Sequence, residues 1–186
     1  MLENISQLDF AILSFISENF RCGFLDIIMM LFTYAGNWGI VWIAITLVLL
    51  FSKRHRGLGI TMAIGLIVCL LAGNLLLKPL VARDRPFITD PAIVTIISPP
   101  SGYSFPSGHT FSSFCSASVL ASHNRKVGIF ALISAVLIGF SRLYFCVHFP
   151  TDVICGAVLG IASGAAVYRI WGRKLTGKAK KGAPGN

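Results

Sequence analysis

Long uncharged runs separated by short charged turns dominate the chain. Residues 27–52 carry no Asp, Glu, Lys or Arg, enough length to cross a hydrocarbon core about 30 Å thick. The run is broken at Gly36-Asn37-Trp38-Gly39, which leaves open whether residues 24–51 form one bent helix or two short ones. A second run covers residues 57–77, interrupted only by Thr61 and Asn74. After it comes a polar, proline-bearing loop over residues 78–106. The third run, residues 107–122, is short and rich in Ser and Ala, which suits a helix enclosed by other helices more than one facing lipid. Residues 127–147 form a fourth run with Arg142 near its far end. A fifth, residues 152–168, carries Gly156, Gly160 and Gly164 at four-residue spacing, the stripe of small residues that lets two helices approach closely.

Ahead of these runs, residues 1–20 place Ile5, Leu8, Ile12, Phe15 and Ile16 at roughly helical spacing among Glu3, Asp9 and Glu18. The segment lacks the basic start and small-residue cleavage site of a signal peptide, so the pattern predicts an interfacial amphipathic helix that stays on the protein. The expected fold class is therefore all-α: a polytopic membrane helix bundle of about five to six transmembrane helices with an N-terminal amphipathic helix. Residues 1–175 are expected to form a single integral-membrane domain, and residues 176–186 a basic, disordered cytoplasmic tail.

Composition agrees with a membrane setting. Of 186 residues 55% are hydrophobic and 12% charged, and the mean hydropathy is +0.77, outside the norm for soluble globular domains. The five cysteines, at 22, 69, 115, 146 and 155, show no metal-binding spacing and lie mostly within apolar runs, so they read as free, buried thiols.

A net charge of +9 could suggest nucleic acid, but its location argues otherwise. The turns after the first, third and fifth runs and the C-terminal tail hold Lys53, Arg54, Arg56, Arg125, Lys126, Arg169, Arg173, Lys174, Lys178, Lys180 and Lys181, eleven of the sixteen basic residues, and no acid. Positive loops stay inside, so these turns are expected in the cytoplasm and the 78–106 loop outside, in a plasma (inner) membrane. Lys78, Arg83, Arg85 and Arg142 defy that rule. Charged groups at such a depth mark a functional site by default, and the natural reason for four cations there is an anion.

The candidate chemistry gathers on that outer side. Pro106 and Ser107 are helix-start residues, Ser107 being a candidate N-cap whose helix would point its free N–H groups at an anion. Gly108 lets a ligand approach the backbone, and His109 adds a group that titrates near neutral pH. Farther on, Pro150 suits a helix's first turn, with His148 before it and Asp152 within it. The four-residue spacing allows the carboxylate to take a proton from one imidazole nitrogen and leave the other as a nucleophile, while His109 could protonate a departing oxygen. His55 and His123, beside basic turn residues, are expected to be solvated.

In order, Lys78-x6-Arg85-Pro86, Pro106-Ser107-Gly108-His109 and Ser141-Arg142-x5-His148-x3-Asp152 resemble the complete three-part signature of the type 2 phosphatidic acid phosphatase superfamily, which also includes soluble vanadium haloperoxidases. The match runs from Lys78 to Asp152, and the flanking hydrophobic runs are similar to those of the family's small membrane lipid phosphatases. The resemblance implies that Lys78, Arg85 and Arg142 bind phosphate oxygens with Ser107 and the backbone at Gly108 and His109. It implies that His148 becomes a phosphohistidine, Asp152 orients it and His109 protonates the leaving group, with no metal or other cofactor. The implied substrate is a lipid phosphate or pyrophosphate. A polyprenyl pyrophosphate is favoured because an outward-facing site matches where that carrier is released, with phosphatidylglycerophosphate or phosphatidic acid next. A non-catalytic transporter of an anion or phosphorylated lipid and a haloperoxidase-like enzyme are the alternatives. Oligomeric state is left open by the glycine stripe.

Overall fold

A computed structural model of the chain describes residues 2–181, with side chains for residues 6–177. The described residues form helices and no strands: α1 Leu2–Phe20, α2 Gly23–Gly36, α3 Ile40–Phe51, α4 Arg56–Cys69, α5 Lys78–Val81, α6 Pro86–Thr89, α7 Gly108–His123, α8 Arg125–Tyr144, α9 Pro150–Val167 and α10 Arg173–Lys181. Four helical stretches, Gly23–Phe51, Arg56–Thr89, Arg125–Tyr144 and Pro150–Gly177, are long and apolar enough to cross a membrane. Large apolar side chains such as Leu31, Val48, Leu75, Phe130 and Val158 point outward along them, as lipid-facing surfaces require.

At the Gly36–Gly39 break, α2 and α3 are separate helices joined by one 3₁₀ turn, in which Trp38 and Gly39 both have positive φ, 53° and 66°. Between α4 and α5, residues 70–77 widen into a π-helical segment. Pro79 supplies the cause, since it has no N–H for the preceding turn and its ring crowds the carbonyl four residues back.

α7 is the enclosed helix that its Ser and Ala content predicts, with Phe111, Ser113, Cys115, Ala117 and Val119 each 1% exposed or less. It packs along α9 through the glycine stripe. A Cβ at Gly156, Gly160 or Gly164 would stand 2.9, 2.6 or 2.4 Å from the backbone oxygens of Ser107, Phe111 and Cys115. The stripe thus serves a contact within the chain, backbone against backbone.

α1 turns Asp9, Leu13 and Ile16 inward and leaves Leu8 and Phe15 exposed, the two-sided pattern of a helix lying between protein and interface. α10 occupies the first part of the segment expected as a tail; residues 182–186 lie outside the described residues. All five cysteines are free, with Cys22 exposed and Cys69, Cys115 and Cys146 buried. His55 and His123, expected to be solvated, are half-buried instead, and the Tyr168 hydroxyl lies 3.5 Å from His123 Nδ1.

Candidate active site

Each candidate residue sits where a helix begins or ends, because only there does the bundle free backbone for a ligand. Ser107 precedes α7 with extended backbone, as expected of an N-cap, but its side chain makes no capping bond. Its hydroxyl accepts instead from Thr110 Oγ1 at 2.9 Å, and its N–H is held by the Asp152 carbonyl at 3.2 Å. The first-turn N–H groups of α7 have no partner within the helix. Lys78, at the start of α5, reaches the same opening: a Cβ on Gly108 would stand 4.0 Å from Lys78 Nζ.

The arginines are the unusual feature. Arg85 and Arg142 are 3% and 2% exposed, yet among the described residues no carboxylate pairs with either, or with Lys78. Arg85 is fixed by carbonyls: its Nε donates to Gly102 at 2.8 Å and its Nη1 to Val147 at 2.9 Å. Arg142 donates through Nη1 to Thr33 Oγ1, and its buried Nε has no hydrogen-bond partner among the described residues. Lys78, Arg85 and Arg142 repel one another electrostatically. Burying unneutralised cations side by side costs several kcal/mol per ion, a cost that an anion held among them would offset.

His148 borders it. The loop after α8 passes through Cys146 with positive φ, 52°, and delivers His148 at 2% exposure. Its Nε2 lies 3.2 Å from Arg85 Nη1. A guanidinium can only donate, so Nε2 presents its lone pair to the cluster and Nδ1 carries the ring proton toward Asp152. The expected hydrogen bond between Nδ1 and Asp152 does not form in this geometry: the Nδ1···Oδ2 separation is 3.6 Å, beyond hydrogen-bond range.

The reason is that other groups hold the Asp152 carboxylate. Ser104 Oγ donates to Oδ2 at 2.5 Å, the Phe149 N–H to Oδ2 at 2.9 Å, and Arg83 Nη1 to Oδ1 at 2.7 Å. Arg83 also donates through Nη2 to Asp9 Oδ2 at 2.7 Å and lies 4.0 Å over the Phe149 ring. Asp9 in turn accepts from the Thr151 N–H and hydroxyl. A chain of Asp9, Arg83, Asp152 and Ser104 therefore fixes the carboxylate beneath His148 and ties α1 to it. Sequence reasoning missed these partners. Arg83 showed as a cation out of place and Asp9 as an acid on an amphipathic helix, but nothing linked them across 74 positions.

His109 Nε2 lies 2.8 Å from Asn37 Oδ1 in the α2–α3 break, and Arg142, His148 and Lys78 are all within its electrostatic reach. The structure thus brings Lys78, Arg85, Ser107, Gly108, His109, Arg142, His148 and Asp152 to one place, and adds Thr33 and Asn37 as partners.

Burial, reinforced by the Arg85 and Arg142 charges and opposed by the Asp152 carboxylate, pushes the His148 imidazole down to about 3. The unfolded chain then binds the proton first as pH falls, because its imidazole titrates near 6.5. Stability from neutral His148 is complete above that value and is lost between pH 6.5 and 3. At pH 5.5 the loss is about 1.4 kcal/mol, so the Tm of the detergent-solubilised protein should fall from pH 7 to pH 5. His148→Gln should flatten that slope, and an equally steep slope in the variant would count against the assignment.

A family model described as the PAP2 superfamily matches residues 54–175. The undecaprenyl-diphosphatase of Sulfolobus acidocaldarius is 37% identical over 121 residues, covering 64% of this chain and 58% of that protein; the match therefore spans less than two thirds of that relative. The lipid A 4'-phosphatase of Bacteroides thetaiotaomicron is 30% identical over 99% of this chain and 85% of its own. The crystal structure of a transmembrane PAP2 type phosphatidylglycerolphosphate phosphatase from Bacillus subtilis superposes with a TM-score of 0.74 at 25% identity, covering 98% of this chain and 90% of that one. With its apolar helices and this likeness, the protein is a multi-pass membrane protein. The signature residues meet at one cationic site inside the matched region, and the chain belongs to the PAP2 superfamily.

Proposed function

We propose that the protein is a lipid phosphatase that removes a terminal phosphate from a phosphorylated membrane lipid through a phosphohistidine on His148. The observation that carries this reading is the pair of buried guanidinium groups without carboxylate partners, next to an imidazole whose lone pair faces them. Lys78, Arg85 and Arg142, with the first N–H groups of α7, bind the phosphoryl oxygens and stabilise the charge that spreads over them in the transition state. His148 Nε2 attacks phosphorus. The Nδ1 proton faces Asp152, whose negative charge stabilises the imidazole as it becomes positive. His109 gives its proton to the departing alcohol or phosphate oxygen, then takes one from the water that hydrolyses the phosphohistidine.

Three fixed cations do the electrostatic work that a divalent metal does in other phosphatases, so turnover is expected to be metal-independent. Detergent-purified protein should release phosphate in excess EDTA from undecaprenyl pyrophosphate, phosphatidylglycerophosphate or phosphatidic acid, and the rates would rank the headgroups. Phosphate bound but released from none of them would favour the transport reading.

The polyprenyl pyrophosphate remains the favoured substrate. The charge distribution of the turns supports a site on the extracytoplasmic face of the inner membrane. Ser101 is exposed in the 78–106 loop, and Ser101→Cys should react with an impermeant thiol reagent in intact cells against a background set by Cys22. Reaction only after lysis would reverse the orientation.

A further inference from the structure

A cavity of ≈540 Å³ lies between α3 and α8, lined by Val41, Ile45 and Leu49 on one wall and Ala131, Ser134 and Ile138 on the other, with Leu120 at the end of α7 also lining it. None of the signature residues lines it. We infer that this groove holds the hydrocarbon tail of the lipid whose phosphate enters the cationic site; the inference rests on the lipid-phosphatase reading.

The reaction geometry says on which side of the phosphate the tail must lie. Phosphoryl transfer runs in line, so the departing oxygen stands opposite the attacking Nε2 of His148. That oxygen carries the rest of the lipid, whether the bond broken is an ester or a pyrophosphate. It is the oxygen that His109 protonates, so the tail leaves the site on the His109 side.

The groove begins on that side. A Cβ on Gly36 would stand 2.7 Å from His109 Cδ2 and 2.7 Å from Ile138 Cγ2. Gly36, which ends α2, therefore lies against both the proton donor and Ile138 of the groove wall, and a larger residue there would have to displace one of them. Ala35, next to it, also lines the cavity.

The groove's dimensions and chemistry suit an alkyl or prenyl chain. From Ile138 to Val127 it follows α8 for ~16 Å, about half of a hydrocarbon core. It opens outward beside Phe130, which is 73% exposed, so a chain could enter sideways from lipid without crossing a polar surface. At the far end it meets His55 and Asn124, next to the basic turns, where an apolar chain must stop.

Filling the groove tests this. Ser134→Trp and, as a second variant at the α2 end of the groove, Ala35→Phe would be assayed on phosphatidic acids that share a headgroup and differ in tail, dipalmitoyl against dihexanoyl. The ratio of kcat/KM for the long-chain over the short-chain substrate should fall about tenfold in both variants, mainly through KM. An unchanged ratio overturns the groove assignment. If the wild-type protein releases phosphate from neither of these nor from undecaprenyl pyrophosphate or phosphatidylglycerophosphate, the phosphatase reading is at fault, and a phosphatidic acid with a diazirine in its tail tests the groove without turnover. Crosslinks within residues 41–49 and 127–138 that disappear in Ser134→Trp support it; crosslinks spread over all outward helix faces, or indifferent to the variant, overturn it.

Discussion

On the proposed mechanism, His148→Ala is expected to lower kcat/KM for phosphate release about 10⁴-fold or more, because it removes the atom assigned as the nucleophile. The cradle should survive the change. Arg85 keeps its bonds to the carbonyls of Gly102 and Val147, and Asp152 keeps Ser104, Phe149 and Arg83. Phosphate should therefore still bind, with an affinity near that of the wild-type protein, while turnover is lost. Equilibrium binding of inorganic phosphate beside steady-state release separates the two effects. Loss of binding together with turnover would place His148 in a structural part, and retention of turnover would remove it from the chemistry.

Arg142→Met is expected to lower kcat/KM about 10³-fold, the scale on which a single preorganised electrostatic stabiliser acts, and at the same time to raise Tm. Its guanidinium is 2% exposed with an Nε that has no hydrogen-bond partner among the described residues, and it donates to the Thr33 hydroxyl. Replacing a buried charge that lacks a counterion with an apolar side chain of similar volume removes a desolvation penalty, for a gain of about 1 kcal/mol or more in stability. A purely structural arginine would behave oppositely, with a lower Tm and activity lost in proportion to folded protein. Thermal unfolding in detergent, without phosphate, distinguishes the two. With saturating phosphate the order should reverse, because only the wild-type site gains the full stabilisation from the anion.

The helices and the cationic site were legible in the sequence because each has a local signal. Charge-free runs of membrane length mark the long helices, the Ser and Ala content of residues 107–122 marks α7 as enclosed, and four-residue glycine spacing marks the face that α9 turns to it. Lys78, Arg85, Arg142 and the two histidines stand out as polar groups in places that composition makes costly. The support beneath them has no such signal. Arg83 joins Asp9 across 74 positions and Asp152 across 69, and Thr33 and Asn37 reach Arg142 and His109 across 109 and 72. No periodicity encodes those pairings, which exist only after α1 and the α2–α3 break have docked on α8 and α7. The four-residue spacing of His148 and Asp152 did suggest a direct hydrogen bond, and spacing alone could not show that Ser104 and the Phe149 N–H already occupy the carboxylate oxygen nearest the ring.

The phosphoenzyme is the most direct test of the proposed chemistry. Wild-type protein mixed with an equimolar lipid phosphate or pyrophosphate carrying labelled terminal phosphate, and quenched within one turnover, should carry the label on the peptide containing His148. The label should be absent from His148→Ala. Full turnover with no label on His148 at any quench time would show that water attacks phosphorus directly and would contradict the nucleophilic role.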